Sequence, residues 1–170
     1  MAQAAEAMKA NSVEDIARRA AQLTAEYKAV QRKLEQVHEK LASLKVEGLF
    51  GDAKEVRGIR VVAAAFTGTG ADAIRAMCEH CRGLSKENAV VVLAGIQEDA
   101  GSVSFGCYCA PEAVKKGAHA GNIVREVAAI CGGRGGGRPD LAMAGGKDLS
   151  RVDDAINSVD DILEKLIPEK

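Results

Sequence analysis

Val13, Ile16, Ala20, Leu23, Tyr27, Val30, Leu34, Val37, Leu41 and Leu44 recur with strict alternation of three- and four-residue steps. This is the a/d pattern of a helix built to lie against another helix, sustained for more than four heptads. Ser12 with Asp15 resembles a capping box, with Asp in place of Glu or Gln. Gly48 supplies a C-terminal stop. At about 1.5 Å per residue the stretch 13–44 spans about 48 Å, more than a small domain needs. The helix therefore requires a partner: its own copy in a second chain, a neighbouring helix of this chain, or residues upstream. The g positions Arg19, Glu26, Lys33 and Lys40 face Ala17, Thr24, Gln31 and His38 at e, a set that specifies no partner. Ala20 and Tyr27 would pack unevenly in a parallel, in-register dimer, which favours antiparallel or intrachain pairing. The plainer alternative is a helix lying on its own domain.

The rest of the chain reads as a small domain. Of 170 residues, 47% are hydrophobic but only 3% aromatic, and tryptophan is absent, so Ala, Val, Ile and Leu must build the core. Gly58–Phe66 reads as a buried strand, Thr67–Gly70 as a turn, and Thr69 with Asp72 as the cap of a helix burying Ile74, Met77, Cys78 and Cys81. Ala89–Ala94 and Ser102–Ala110 are further strands. Strand–helix–strand implies a right-handed crossover with parallel pairing, and the short turn before Ser102 an antiparallel neighbour. Asn122–Ile130 is a short helix. Ser150 with Asp153 caps a last one, apolar at Val152, Ile156, Val159, Ile162, Leu163 and Leu166. The expected fold is α/β of the α+β type: a long coiled-coil-like helix in residues 1–47, a joint at Gly48–Val56, and a small mixed sheet with packed helices in residues 58–170.

Chemistry concentrates in Cys131–Gly146, which holds seven glycines in sixteen residues with Arg134 and Arg138 between them. Read as a loop, such a run exposes amide N–H groups, a shape suited to anions, and the arginines add guanidinium forks that match phosphate. Pro139 disfavours helix at Arg138, so that residue should be extended. The alternative is a flexible connector with solvated arginines. Net charge is −1, a poor overall signature for nucleic-acid binding, but its distribution is uneven. Residues 111–147 carry six Lys/Arg against three Asp/Glu, whereas residues 148–170 carry three against seven. This describes a local basic patch with salt-sensitive affinity for phosphates.

The run GGRGGGRPDLAMAGGKD resembles the glycine-rich signature of the C-terminal domain of alanyl-tRNA synthetases, which is related to the accessory domain of DHH-type phosphoesterases. Lys115–Glu126 is similar to the family's basic turn, Ala-Gly pair and following helix. The resemblance covers residues 58–167, and its specific parts are the Arg-Pro-Asp step and the closing Gly-Gly. It implies an accessory domain that binds tRNA(Ala) at the elbow and supports alanylation and editing beside the synthetase's catalytic and editing domains. It also implies a leading helix that helps set dimerisation, so a homodimer stands beside intrachain pairing. The site residues implied are Lys115, Lys116, His119, Asn122, Gly132, Gly133, Arg134, Gly135, Gly136, Gly137, Arg138, Gly145 and Gly146. Of these, His119 either contacts RNA or caps the following helix. Asp140 is expected to pair with Arg138 or Arg134, or to cap a turn.

No catalytic machinery is expected in this chain. It has no Asp-His-His, no HExxH and no Walker lysine, and GGRGGGR follows a helical segment, unlike a dinucleotide site. Cys78-Glu79-His80-Cys81 is a CxxC late in a helix, and Cys107 and Cys109 are poorly spaced for zinc, so both pairs are expected to be core thiols. No metal and no cofactor are expected. Five cysteines in no even framework suit reduced thiols and a cytoplasmic protein. No stretch approaches the ~20 apolar residues that span a bilayer. Two rival functions stand beside tRNA binding: a dimerisation or scaffold module carried by the heptad helix, and the substrate-binding half of a DHH-type phosphoesterase.

Overall fold

The computed structural model describes residues 13–84 and 88–167. The chain divides into two units, Met1–Lys40 and Leu41–Lys170. Helix α1 spans Val13–Leu49. Within α1 the side chains of Gln22 and Glu26, and of Gln31 and Tyr27, pair at i,i+4, with separations of 3.0 Å and 3.1 Å. Thr24 donates its hydroxyl back to the Ala20 carbonyl at 2.7 Å. Of the seam residues with described side chains, Leu23, Tyr27, Val30, Val37 and Leu44 keep between 52% and 66% of their surface in solvent, and Ile16 and Ala20 are half-buried. The expected cap at Ser12 lies outside the described residues. Gly48 does not end the helix, which continues to Leu49 and tightens into a 3-10 turn at Phe50–Asp52.

The second unit is a six-stranded mixed sheet in the order β1-β2-β3-β4-β6-β5. The strands are β1 (Lys54–Val56), β2 (Ile59–Thr67), β3 (Ala89–Gln97), β4 (Ser102–Cys109), β5 (Arg134–Gly137) and β6 (Leu141–Gly146). Helix α2 (Ala71–Leu84) links β2 to β3, and these two strands are parallel, as the strand–helix–strand pattern requires. Every other neighbouring pair is antiparallel. After β4 come α3 (Pro111–Lys115) and α4 (Ala120–Ile130), and after β6 come α5 (Val152–Asn157) and α6 (Val159–Leu166).

Alternation along the strands sorts the core into two layers. On one face Val61, Val90, Val92, Phe105 and Cys107 meet Ile123, Val124 and Val127 of α4 and Val152, Val159 and Leu163 of α5 and α6. On the other, Val62, Val91, Leu93 and Tyr108 meet Ile74, Met77, Cys78 and Cys81 of α2. Helix α2 lies so close to β4 that a Cβ at Gly106 would stand 2.7 Å from the Cys78 sulfur. With few rings available, small residues set the spacing between layers.

Two further expectations need correction. The single last helix is broken at Ser158, whose hydroxyl donates to the Ala155 carbonyl at 2.8 Å; Ser150 does not cap it but lies in a 3-10 turn, Leu149–Arg151, that leads into α5 and is itself capped by Asp148, which accepts from the Ser150 amide at 3.1 Å. More important, the glycine run is no loop. It forms edge strand β5, which pairs residue by residue with β6 from Arg134↔Gly145 to Gly137↔Ala142. Strand propensity argues against glycine there, but close packing on two sides selects it.

Candidate nucleic-acid interface

The segment begins where α4 ends. The Gly133 amide donates to the Ala128 carbonyl at 2.8 Å and the Gly132 amide to Ala129 at 3.1 Å, with Gly132 at φ +62°. This is a Schellman ending, and it explains why glycine follows Cys131. The Cys131 carbonyl then accepts from both Lys147 and Asp148, each at 3.1 Å, and so closes the open end of the β5–β6 hairpin. Between these points β5 is pressed from two directions. A Cβ at Gly133 or Gly135 would run into Gly145 or Ala144 of β6, and one at Gly121 of α4 would lie 2.5 Å from the Gly137 carbonyl oxygen. Glycine here lets strand, strand and helix meet, with Gly133 and Gly136 half-buried, while Gly132, Gly135 and Gly137 keep their backbone exposed.

At the far end the Arg138-Pro139-Asp140 step is held from both layers. The Ala120 amide, first in α4, donates to the Pro139 carbonyl at 2.9 Å, and the Cys109 amide, last in β4, donates to the Asp140 carbonyl at 2.9 Å. The Asp140 carboxylate pairs with Arg138, whose Nε lies 3.4 Å from Oδ1, and also with the guanidinium of Arg82 from the last turn of α2.

Arg134 and Arg138 both remain exposed, one at each end of the strand. Four extended steps at roughly 3.3 Å per residue put about 13 Å between them. Arg134 makes no ion pair among the described residues. Midway, the exposed Arg125 of α4 lies over Gly136, its Nη2 3.4 Å from where a Cβ would stand, and Gly136 has φ +154°. Arg125 and Arg82 belong to this basic surface, yet no motif singles them out. Their helical periodicity marks them only as exposed residues, and the turns that bring them to the hairpin are tertiary.

The basic turn before α4 is placed differently from the hairpin's arginines. Lys115 pairs with Glu112 at 2.7 Å, and Lys116 donates to the Gly58 carbonyl at 2.9 Å, at the start of β2. His119 is the N-cap of α4, its Nδ1 accepting from the Asn122 amide at 3.4 Å. Of the thirteen residues expected in the site, the structure gathers those of the hairpin and the start of α4, and ties the two lysines into other contacts.

Four of the five thiols fall into two pairs on opposite faces of the sheet, and the fifth, the buried Cys131, stands at the start of the glycine segment. Cys78 and Cys81 point to the α2 face, whereas Cys107 and Cys109, with sulfurs 4.0 Å apart, point to the α4 face. Burial pushes Cys78 well above the ordinary thiol range, with the neighbouring Cys81 and Glu79 adding to it, and pushes Cys81 up to about 12. Cys107 is raised by burial first and by Cys109 second. Such protonated thiols are poor nucleophiles and poor metal ligands. Among the described residues no three His, Cys, Asp or Glu side chains are placed to hold a metal, and no helix is long and apolar enough to cross a membrane.

The chain is 34% identical over 165 residues to an alanine–tRNA ligase of Bacillus subtilis, covering 97% of this chain and 18% of that protein. It is 41% identical over 138 residues to an alanine–tRNA ligase of Geobacillus thermodenitrificans, covering 81% of this chain and 15% of that one. It thus spans less than a fifth of the length of these relatives. Among solved structures, the C-Ala domain from Aquifex aeolicus alanyl-tRNA synthetase is similar, with a TM-score of 0.58 and 27% identity, covering 65% of this chain and 96% of that one. Residues 58–165 match the DHHA1 domain, and the chain belongs to that family.

Proposed function

We propose that the chain is a tRNA-binding accessory domain of an alanyl-tRNA synthetase. It grips the elbow of tRNA(Ala) through the β5–β6 hairpin, and supports alanylation and editing carried out by other domains in the cytoplasm. The observation that carries the proposal is the pair of exposed arginines at the two ends of a glycine strand, with Arg125 between them. Planar guanidinium groups on a side-chain-free strand suit a phosphate backbone, because they hold anions bidentately while nothing keeps the polymer off. The almost complete lack of aromatics argues against a base-stacking platform and for recognition of folded shape. The names of the relatives point to the same ligand.

Filter binding of a tRNA(Ala) transcript tests this. With Arg134→Ala plus Arg138→Ala, binding weakens and the slope of log affinity against log salt falls by about 1.4 to 1.8, the loss of two phosphate contacts. The melting temperature stays put, since neither arginine is buried. Binding that is unchanged in the double variant overturns the proposal. So does wild-type binding that survives disruption of the elbow.

A second observation supports self-association. The exposed Leu23, Tyr27, Val30, Val37 and Leu44 all occupy seam positions of the heptad pattern, a placement that suits a second α1 in a homodimer. In that role the helix sets spacing between two RNA-binding units.

A further inference from the structure

The Asp140 carboxylate stands between two arginines that reach it from different layers: Arg138 from the hairpin and Arg82 from the end of α2. All three side chains are partly open to solvent, with 38% of Asp140, 52% of Arg82 and 69% of Arg138 exposed. An exposed ion pair of this kind contributes only about 0–1 kcal/mol to stability, so stability is a weak reason for the arrangement. A carboxylate inside a phosphate-binding surface is also, on charge alone, unfavourable to that binding. Its position, by contrast, is unusually well determined. Pro139 restricts the backbone before it, and the Pro139 and Asp140 carbonyls are each held by an amide, one from α4 and one from β4.

We infer that Asp140 is a positioning residue, which holds the guanidinium groups of Arg82 and Arg138 side by side so that they close on one phosphate as a pair. The inference rests on the RNA-binding reading and adds Arg82 to it. A guanidinium has five donors, and a carboxylate contact uses only part of that set, leaving the remainder free for an incoming anion. Two free guanidinium groups each lose rotamer entropy on binding, whereas two heads already tethered to one carboxylate lose less. The pair with its carboxylate keeps a net positive charge, so the anion is still attracted.

The two roles open to Asp140 differ in the sign of their effect. If the carboxylate only neutralises, Asp140→Asn makes the surface one charge more positive and tightens tRNA. If it positions, Asp140→Asn weakens tRNA despite the added charge, by about threefold or more, the size of one modest ion-pair contact. Asp140→Glu then restores affinity to within about twofold, because the carboxylate is back within reach of both arginines. Titration of the whole chain with a tRNA(Ala) transcript at several salt concentrations reads both. Weaker binding with a shallower salt slope in Asp140→Asn, rescued by Asp140→Glu, is the expected result. Equal or tighter binding in Asp140→Asn overturns the inference.

Arg82→Gln guards against a folding artefact, since it breaks the pair without touching the turn. It is expected to weaken binding with the melting temperature held, and unchanged binding overturns the inference. The Arg134→Ala plus Arg138→Ala variant separates the two levels of the argument. If it binds as wild type, the RNA-binding reading fails and the inference with it. If it weakens binding while Asp140→Asn does not, the reading stands and the inference alone fails.

Discussion

Substituting alanine for glycine at two helical positions should have opposite effects, and the difference tests whether the glycines serve packing. Gly121 lies in the first turn of α4 and is buried against Gly137 of β5. A Cβ there would stand 2.5 Å from the Gly137 oxygen, 2.9 Å from its nitrogen and 3.1 Å from its carbonyl carbon. The obstacle is strand backbone, which cannot rotate away, so helix and strand must separate. Overpacking of this kind costs about 1–3 kcal/mol, and at position 121, so near the helix start, the propensity gain of alanine is small. A mid-range loss of about 2 kcal/mol lowers the melting temperature of a chain this long by about 4–8 °C. Gly83, exposed near the end of α2, has nothing within 4 Å of its Cβ position. There alanine removes backbone entropy from the unfolded chain at no steric cost, and stabilises by up to about 0.5–1 kcal/mol. Differential scanning calorimetry of the two variants beside wild type gives the answer. If Gly121→Ala melts at or above wild type, α4 and β5 are not in the close contact described, and the packing account of the glycine run is wrong.

Further outcomes follow from other parts of the molecule. Tyr27→Glu with Val30→Glu, on the exposed seam, should halve the mass seen by light scattering while leaving the calorimetric transition of the globular unit unchanged; an unaltered mass refutes pairing through this stripe. Lys116→Ala should weaken tRNA binding less than Arg138→Ala does, because its amine is already engaged by the Gly58 carbonyl, and a filter-binding comparison would show the reverse if the basic turn were the main phosphate contact. Cys81 carries a pH prediction. Its thiol is raised from 9.0 to about 12 by burial, so between those values the folded chain keeps a proton that the unfolded chain loses. Its contribution is intact below pH 9 and declines as pH rises towards 12, which urea melts across that window should record as a falling midpoint, shallower in Cys81→Ala. All five buried cysteines should react slowly with a thiol reagent at neutral pH and fully once the chain is unfolded.

Much of the architecture was legible in the sequence because its signals are local. The 3-4 spacing of α1, the apolar runs of β2, β3 and β4, and the crossover through α2 follow from period and turn chemistry alone. The glycine run misled because glycine is the residue of loops when only backbone freedom is considered. Here its use is spatial: Gly135 and Gly137 of β5 have no room for a Cβ against β6, nor Gly121 of α4 against β5, a fact that depends on partners 5 to 16 residues away. The Schellman glycine after Cys131 was readable in principle, since a helix followed by Gly-Gly is its usual form. The composition of the basic surface was only half visible. Arg134 and Arg138 sit in a motif, but Arg82 is 58 residues from Asp140 and reaches it through the fold. Lys115 and Lys116 looked equivalent to the arginines by charge, and only the positions of Glu112 and Gly58 set them apart.

Neighbouring peptide units at Pro139 and Asp140 are fastened to opposite tiers of the molecule. Force applied at the hairpin tip is consequently shared at once by helix and sheet, and cannot be absorbed by peeling the strand from one of them. A polymer settling there meets a stiff jaw, so association should proceed without refolding of the domain and its heat capacity change should reflect contact area alone.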